Sequence, residues 1–244
     1  ASAALYFVVP EWPADRKPLN KQSVGDQFRD MGGILRAPIF YRYIPLVVVS
    51  QGSFLAALTL WVGPWFRDVA GLERGSVATS LLIVATTMTA GYLMTGATAS
   101  RLNRRGFKTE SIVLTGMLFF MAIQVPIIMC VQTGAVFIWA LFAFFGTSGS
   151  VMFAALSQHF PGHLMGRVST MMNLLVFLLA FSLQWTIGAI IYLFPTAAEG
   201  GFDPQGYQAA FLFLLALQVI AGVWYWGSGH FKPAFSKPQQ PGSL

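Results

Sequence analysis

The sequence has little charge and almost no cysteine. Only 10% of its 244 residues are charged, whereas about 25% are charged in ordinary soluble domains. The hydrophobic fraction is 55%. This composition excludes a soluble globular domain and is typical of an integral membrane protein. The single cysteine, Cys130, excludes an intramolecular disulfide, and the apolar sequence around it predicts that it packs inside the protein.

The apolar segments also lack the residue combinations that enzymes and metal sites need. No Asp, Glu, Lys or Arg occurs between Ser111 and Gly166. The sequence has no His-Glu-x-x-His motif, no nucleophile with a paired base and no pair of carboxylates within an apolar segment. His159 and His163 are typical of interfacial or capping residues. We therefore expect no enzymatic activity, no catalytic residue, no metal site and no cofactor.

What the chain does have is apolar stretches of membrane-crossing length. A helix needs about 20 predominantly apolar residues to cross the bilayer core. The uncharged run 111–166 is long enough for two crossings, and Gln132, Thr133 and Gly134 mark the break between them. The predicted fold class is an all-α integral membrane protein with six transmembrane helices, at 43–66, 75–100, 111–131, 135–158, 168–194 and 207–227.

The lysines and arginines alternate from one connector to the next. The segments before the first span, after the second, after the fourth and after the sixth carry six, four, one and two of them. The remaining connectors carry two, none and none. Since Lys and Arg concentrate on the cytoplasmic side, both ends are predicted to be cytoplasmic, in a plasma membrane or a bacterial inner membrane. Topology therefore explains the net charge of +6, and we expect no nucleic-acid partner.

Four segments follow from this layout. Apolar residues recur at helical spacing from Val24 to Leu35, which predicts an amphipathic helix on the membrane surface. A solvated linker with accidental periodicity is the alternative. The predicted segments are the tail of a preceding membrane helix at 1–9, a cytoplasmic linker at 10–42, the six-helix bundle at 43–228 and a disordered cytoplasmic tail at 229–244.

The connector between the second and third spans carries a recognisable motif. Residues 96–108 read GATASRLNRRGFK. Gly96, Arg101, Arg104 and Arg105 give the order of a glycine, an arginine and two adjacent arginines. This order resembles the loop signature of the major facilitator superfamily, G-x-L-A-D-R-x-G-R-R, between the second and third helices of each half. Ser100 stands where the signature has its acid, and Asn103 where it has its second glycine.

Two further patterns are similar to the same family. Val9, Pro10 and Glu11 resemble the V-P-E that follows the sixth helix, and Gly166 and Arg167 resemble the G-R that enters the eleventh. The resemblance implies the C-terminal six-helix half of a twelve-helix transporter, built as two inverted three-helix units, with the N-terminal half missing. It also implies secondary active transport of a small-molecule solute by alternating access, with membrane lipid around the protein. The alternative is a non-transporting six-helix membrane assembly or anchoring protein.

The family gives the basic connector a second interpretation. Gly96, Arg101, Arg104 and Arg105 would form a gating loop, because cations at a helix end meet unpaired carbonyls and can hold an acid or an anionic lipid. Contacts made only when helix ends are close could bias the inward-closed state. Cytoplasmic topology alone also explains these charges, and the sequence leaves both interpretations open.

Uncharged polar residues within the spans are the candidates for a substrate cavity. The corresponding helices of the family line the central cavity. Hydrogen bonding between helices is the alternative role for each residue. The candidates are Gln51, Thr86, Thr87, Asn173, Gln184 and Trp185.

Small residues mark the fourth span. Gly146, Gly149 and Ser150 lie close together in it, which predicts either close helix packing or a hinge.

Overall fold

The computed structural model of the protein describes residues 24–194 and 201–230. These residues form seven helices and no strands, so the predicted all-α class is confirmed. The predicted segment 1–9 and most of the predicted tail, 231–244, lie outside the described residues. The helices are α1 (Val24–Arg36), α2 (Pro38–Asp68), α3 (Arg74–Arg104), α4 (Thr109–Ile128), α5 (Ala135–Ser157), α6 (Gly162–Tyr192) and α7 (Pro204–Gly227).

Six of these helices, α2 to α7, are long and apolar enough to cross a bilayer. They coincide with the six predicted spans and extend most of them by a few residues. α2 begins at Pro38 rather than at 43, because proline suits the first turn of a helix and Ala37 before it is extended. Gly134, in the predicted break, has a φ of 70°, a conformation that glycine adopts readily. The protein is therefore an integral membrane protein.

The residues up to Arg36 form a unit of their own, and the bundle begins at Ala37. α1 covers the stretch that was predicted to be an amphipathic helix. Its position on the membrane surface stays a prediction.

The six spanning helices pack reciprocally. α2 packs along α6 and α7, while α5 packs along α3 and α4. If α2–α4 and α5–α7 are taken as units, the first helix of each unit packs on the last two helices of the other. An inverted repeat produces this arrangement. α2 and α5 are accordingly the two most buried of the spanning helices.

α5 is interrupted in its middle. Its two parts are Ala135–Gly146 and Gly149–Ser157, and Thr147 and Ser148 form the break between them. The Thr147 hydroxyl donates to the Phe144 carbonyl at 2.7 Å. The amide of Ser150 donates to the Thr147 carbonyl at 3.0 Å instead of continuing the α-helical pattern.

Neighbouring helices approach this break through glycines. A Cβ on Gly91 of α3 would lie 2.8 Å from the Phe144 carbonyl oxygen, and one on Gly116 of α4 would overlap the Ser148 side chain. On α5 itself, a Cβ on Gly146 would overlap Phe54 of α2. The break therefore lies at the point where α2, α3 and α4 all pack closely against α5.

Candidate functional site

Each predicted cavity residue has a definite place in the bundle. Gln51 is buried, with 5% of its surface exposed, and its Nε2 donates to the Gly146 carbonyl at 2.8 Å. In a regular α-helix the Ser150 amide would donate to the Gly146 carbonyl, but here it donates to the Thr147 carbonyl instead. The Gly146 carbonyl therefore needs another donor. A Cβ on Gly149 would overlap the Gln51 amide, so the same side chain also fills the space beside the break. Gln51 therefore joins α2 to α5 by a hydrogen bond, and its contact with a solute stays a prediction.

Gln184 joins α6 to α2. Its Nε2 donates to the Thr59 hydroxyl oxygen at 2.8 Å, and its main-chain carbonyl accepts from Trp61 Nε1 at 3.1 Å. Thr59 and Trp61 lie in a π-helical turn of α2, Ala57–Trp61. Such turns frequently occur at functional sites. Sequence reasoning missed Thr59, because its partner lies 125 positions away in the chain.

The remaining cavity candidates are on open surfaces of α3 and α6. The Asn173 side chain is exposed and forms no hydrogen bond with the part of the chain that the structure describes. Trp185 is 77% exposed. Thr86 is exposed and Thr87 half-buried. The two threonine hydroxyls donate to the carbonyls of Leu82 and Ile83, each at 2.8 Å, which leaves their oxygens able to accept.

The structure does not bring all six candidates into one cavity. Gln51 lies inside the bundle, whereas Asn173 and Trp185 are exposed on α6 and Thr86 is exposed on α3. α3 is the least buried of the six spanning helices. The side chains of Asn173, Trp185 and Thr86 thus lie on the surface of the described bundle.

The gating-loop candidates lie at what we call the connector end of the bundle, where residues 105–108 join α3 to α4. Gly96, Arg101, Arg104 and Arg105 are all exposed. Among the described residues no carboxylate forms an ion pair with any of the three arginines. Asn103, which replaces the second glycine of the signature, donates from Nδ2 to the Thr109 hydroxyl at 2.9 Å. This contact ties the end of α3 to the start of α4.

A polar cluster that sequence reasoning missed also lies at the connector end. The Tyr43 hydroxyl of α2 donates to Glu110 Oε1 of α4, and His159 Nε2 lies 4.0 Å from the same oxygen. The Tyr43 ring packs 5.4 Å from that of Tyr225 in α7, and the Arg42 guanidinium lies 4.8 Å from the Tyr225 ring centre. These residues come from helices that are far apart in the sequence, so no spacing between them indicates that they meet.

α2 is fixed to α7 at the opposite end as well. The Asp68 carboxylate accepts from the Tyr207 hydroxyl at 2.7 Å and from the Phe202 amide at 3.3 Å, and it pairs with Arg67. Contacts at both ends therefore link α2 to the start and the end of α7.

No family model matches the sequence, and no curated protein matches it. Among solved structures, it is similar to the crystal structure of a bacterial homolog to the human lysosomal transporter Spinster, in an inward-facing and unoccupied conformation. The TM-score is 0.58 and the sequence identity is 15%. The match covers 97% of this chain and 58% of that one.

This chain therefore shares the fold of about half of a membrane transporter of known structure. This confirms the fold predicted from the connector motif, although at 15% identity the likeness concerns the fold alone. In the major facilitator fold, α2–α4 and α5–α7 are the two three-helix units. Both of their first helices depart from regular α-helical geometry here, α2 in its π-helical turn and α5 in its break.

Proposed function

We propose that this chain is the C-terminal half of a secondary active transporter that moves a small solute by alternating access. The observation that carries the proposal is the major facilitator fold together with the irregular first helix of each three-helix unit. Transporters of this kind bind their solutes near the bilayer midplane, beside helices that are interrupted there. The N-terminal half is the proposed partner.

Within this proposal, the exposed candidates contact the solute or the N-terminal half. Asn173 offers both a donor and an acceptor, Thr86 offers an acceptor, and Trp185 offers a large ring. Gln184 Nε2 donates to the Thr59 hydroxyl, which itself donates to the Leu55 carbonyl, so Gln184 Oε1 is the atom of this pair that is left to accept from a solute. Gln51 does not contact the solute in this proposal, and instead stabilises the break in α5 through its hydrogen bond to the Gly146 carbonyl.

The connector end is proposed to be cytoplasmic, with both ends of the chain on that side of a plasma or bacterial inner membrane. Gly96, Arg101, Arg104 and Arg105 then belong to a loop that gates the cytoplasmic opening. The exposed arginines support this role, because they are available to an acid of the N-terminal half when the two halves close. The close packing of α2 against α5 is proposed to depend on the small residues Gly146, Gly149 and Ser150. The break beside them is the point at which α5 would bend during transport.

Uptake into proteoliposomes tests the proposal. This chain is reconstituted alone and together with a co-expressed N-terminal half, and a panel of radiolabelled small solutes is offered to both preparations. We expect accumulation of a solute only when both halves are present. Uptake by this chain alone would contradict the half-transporter assignment. Absence of uptake in both preparations, with the chain copurifying in a stable membrane complex, would favour the assembly or anchoring role.

A further inference from the structure

An apolar groove runs between α3 and α4, with α5 as its floor. Its volume is about 510 Å³. Its apolar walls consist mainly of Met94 and Leu102 of α3, Ile112 and Phe119 of α4, and Phe145 of α5. The groove passes directly beside the break in α5, since Ser148 also lines it.

The groove continues into a basic hollow at the connector end. This second space, of about 400 Å³, is lined by Arg101, Arg104 and Arg105. The two spaces share Thr98 and Leu102, so they form one continuous surface with an apolar part and a cationic part. The arginines have no ion-pair partner within the described ranges 24–194 and 201–230.

The dimensions of the apolar part match one leaflet of a bilayer. Met94 and Leu102 are eight positions apart on α3, which corresponds to about 12 Å at a rise of 1.5 Å per residue. Half of a hydrocarbon core is about 15 Å thick. The cationic end lies where the phosphate groups of the connector-end leaflet would be, and the apolar end reaches towards the midplane.

We propose that this surface binds one anionic phospholipid. Its phosphate lies between Arg101 and Arg105, whose guanidinium groups can each form two parallel hydrogen bonds with phosphate oxygens. One acyl chain occupies the groove against Leu102, Ile112 and Phe119. A small polar solute would leave these apolar walls uncovered, whereas a zwitterionic lipid would leave the arginines without a net countercharge.

The position of the lipid gives it a structural consequence. Its headgroup contacts the end of α3, and its acyl chain touches α3, α4 and the floor of α5 next to Ser148. The bound lipid therefore links the basic connector to the break in α5. This site does not depend on which solute is transported, or on transport at all.

Native mass spectrometry of the complete protein in detergent tests the site. The protein is delipidated and then titrated with dioleoyl phosphatidylglycerol or dioleoyl phosphatidylcholine. We expect one phosphatidylglycerol to bind more tightly than phosphatidylcholine. The double substitution Arg101→Gln with Arg105→Gln should weaken that binding about 30-fold, since each cation near the membrane surface contributes about 1 kcal/mol to the binding of anionic lipid. Its matched control is Arg74→Gln, an exposed arginine at the other end of α3.

A second variant tests the apolar part separately. Thr98→Trp places a large ring where the groove meets the basic hollow, and it should reduce binding of phosphatidylglycerol while all arginines remain. Thr79→Trp, at an exposed position on the same helix, should leave binding unchanged. Equal affinity for the two lipids, or unchanged binding in either the double arginine variant or Thr98→Trp, would overturn the proposal. Because the measurement is binding, its failure is distinguishable from failure of the transport proposal.

Discussion

At the scale of single residues, hydrogen-bond partners separate the polar candidates that look alike in the sequence. Gln51 and Asn173 are both amides within predicted spans, and the family resemblance makes both candidates for a substrate cavity. The structure buries Gln51 against the Gly146 carbonyl and leaves Asn173 exposed on α6. This difference depends on a break in a helix that lies almost a hundred positions further along the chain, so the sequence around either amide cannot reveal it.

The two amides should therefore respond differently to the same substitution. Gln51→Leu removes the donor to the Gly146 carbonyl and leaves a buried acceptor unpaired, which should lower the free energy of unfolding by about 1–3 kcal/mol. Asn173→Leu removes no hydrogen bond to the described residues and should leave stability close to that of the natural protein. Thermal unfolding of the purified variants in one detergent measures both effects. An equal loss of stability in the two variants would refute the role given to Gln51.

At the scale of the helix, apolar length and charge were enough to locate every spanning element, because hydropathy and charge are summed over about 20 residues and local errors cancel. The break in α5 was visible only as small residues, and the π-helical turn of α2 was not visible at all. These irregularities depend on which carbonyls find partners across the bundle. Thr147, for instance, bonds to Phe144 on its own helix and lies 3.1 Å from the Thr95 hydroxyl of α3.

The packing of α3 on α5 can be tested with two glycines of one helix. Gly91 faces the Phe144 carbonyl oxygen, where a Cβ would come to 2.8 Å, and a backbone atom cannot move aside easily. Gly91→Ala should therefore destabilise the protein by about 1–3 kcal/mol. Gly96, five positions further on, has open space around it. Gly96→Ala should stabilise the helix by up to about 1 kcal/mol, since alanine is the better helix former.

Denaturation of the two glycine variants under identical conditions measures the difference. The helix propensity of the substituted residue is the same in both, so packing accounts for any difference in sign. Tolerance of alanine at Gly91 would mean that α3 and α5 are not in the close contact described above. Loss of stability at Gly96 would point instead to a packing role for the glycine of the loop signature.

At the scale of the whole molecule, the fold is retained with 15% sequence identity to the structural neighbour. Positions that face lipid accept many different apolar side chains, whereas close contacts between helices require small residues. A shared fold at such a low identity is therefore expected. The six apolar lengths predicted the number of spanning helices, and the resemblance of the connector to the major facilitator superfamily implied how they are arranged. The route of the groove, the polar cluster around Glu110 and the ties between α2 and α7 required the folded chain.

Orientation in the membrane follows from the same alternation and can be measured directly. Lys108 in the connector and Gln205 at the start of α7 are separated by three candidate spans, so we expect them on opposite faces of the bilayer. Because cations remain on the cytoplasmic side, position 108 should be cytoplasmic and position 205 external. Cys130 is the single cysteine of this 244-residue sequence, so Cys130→Ala removes every thiol of this chain, which is then expressed by itself.

Lys108→Cys and Gln205→Cys are then made separately in that background, and intact cells are treated with a membrane-impermeant maleimide. We expect labelling of the variant at 205 in intact cells, and labelling of the variant at 108 only after the membrane is opened. The cysteine-free protein is the control for background labelling. Reaction of both variants from one side would be incompatible with three crossings between them, and the reversed pattern would place the basic connector, its gate and its lipid site on the external leaflet.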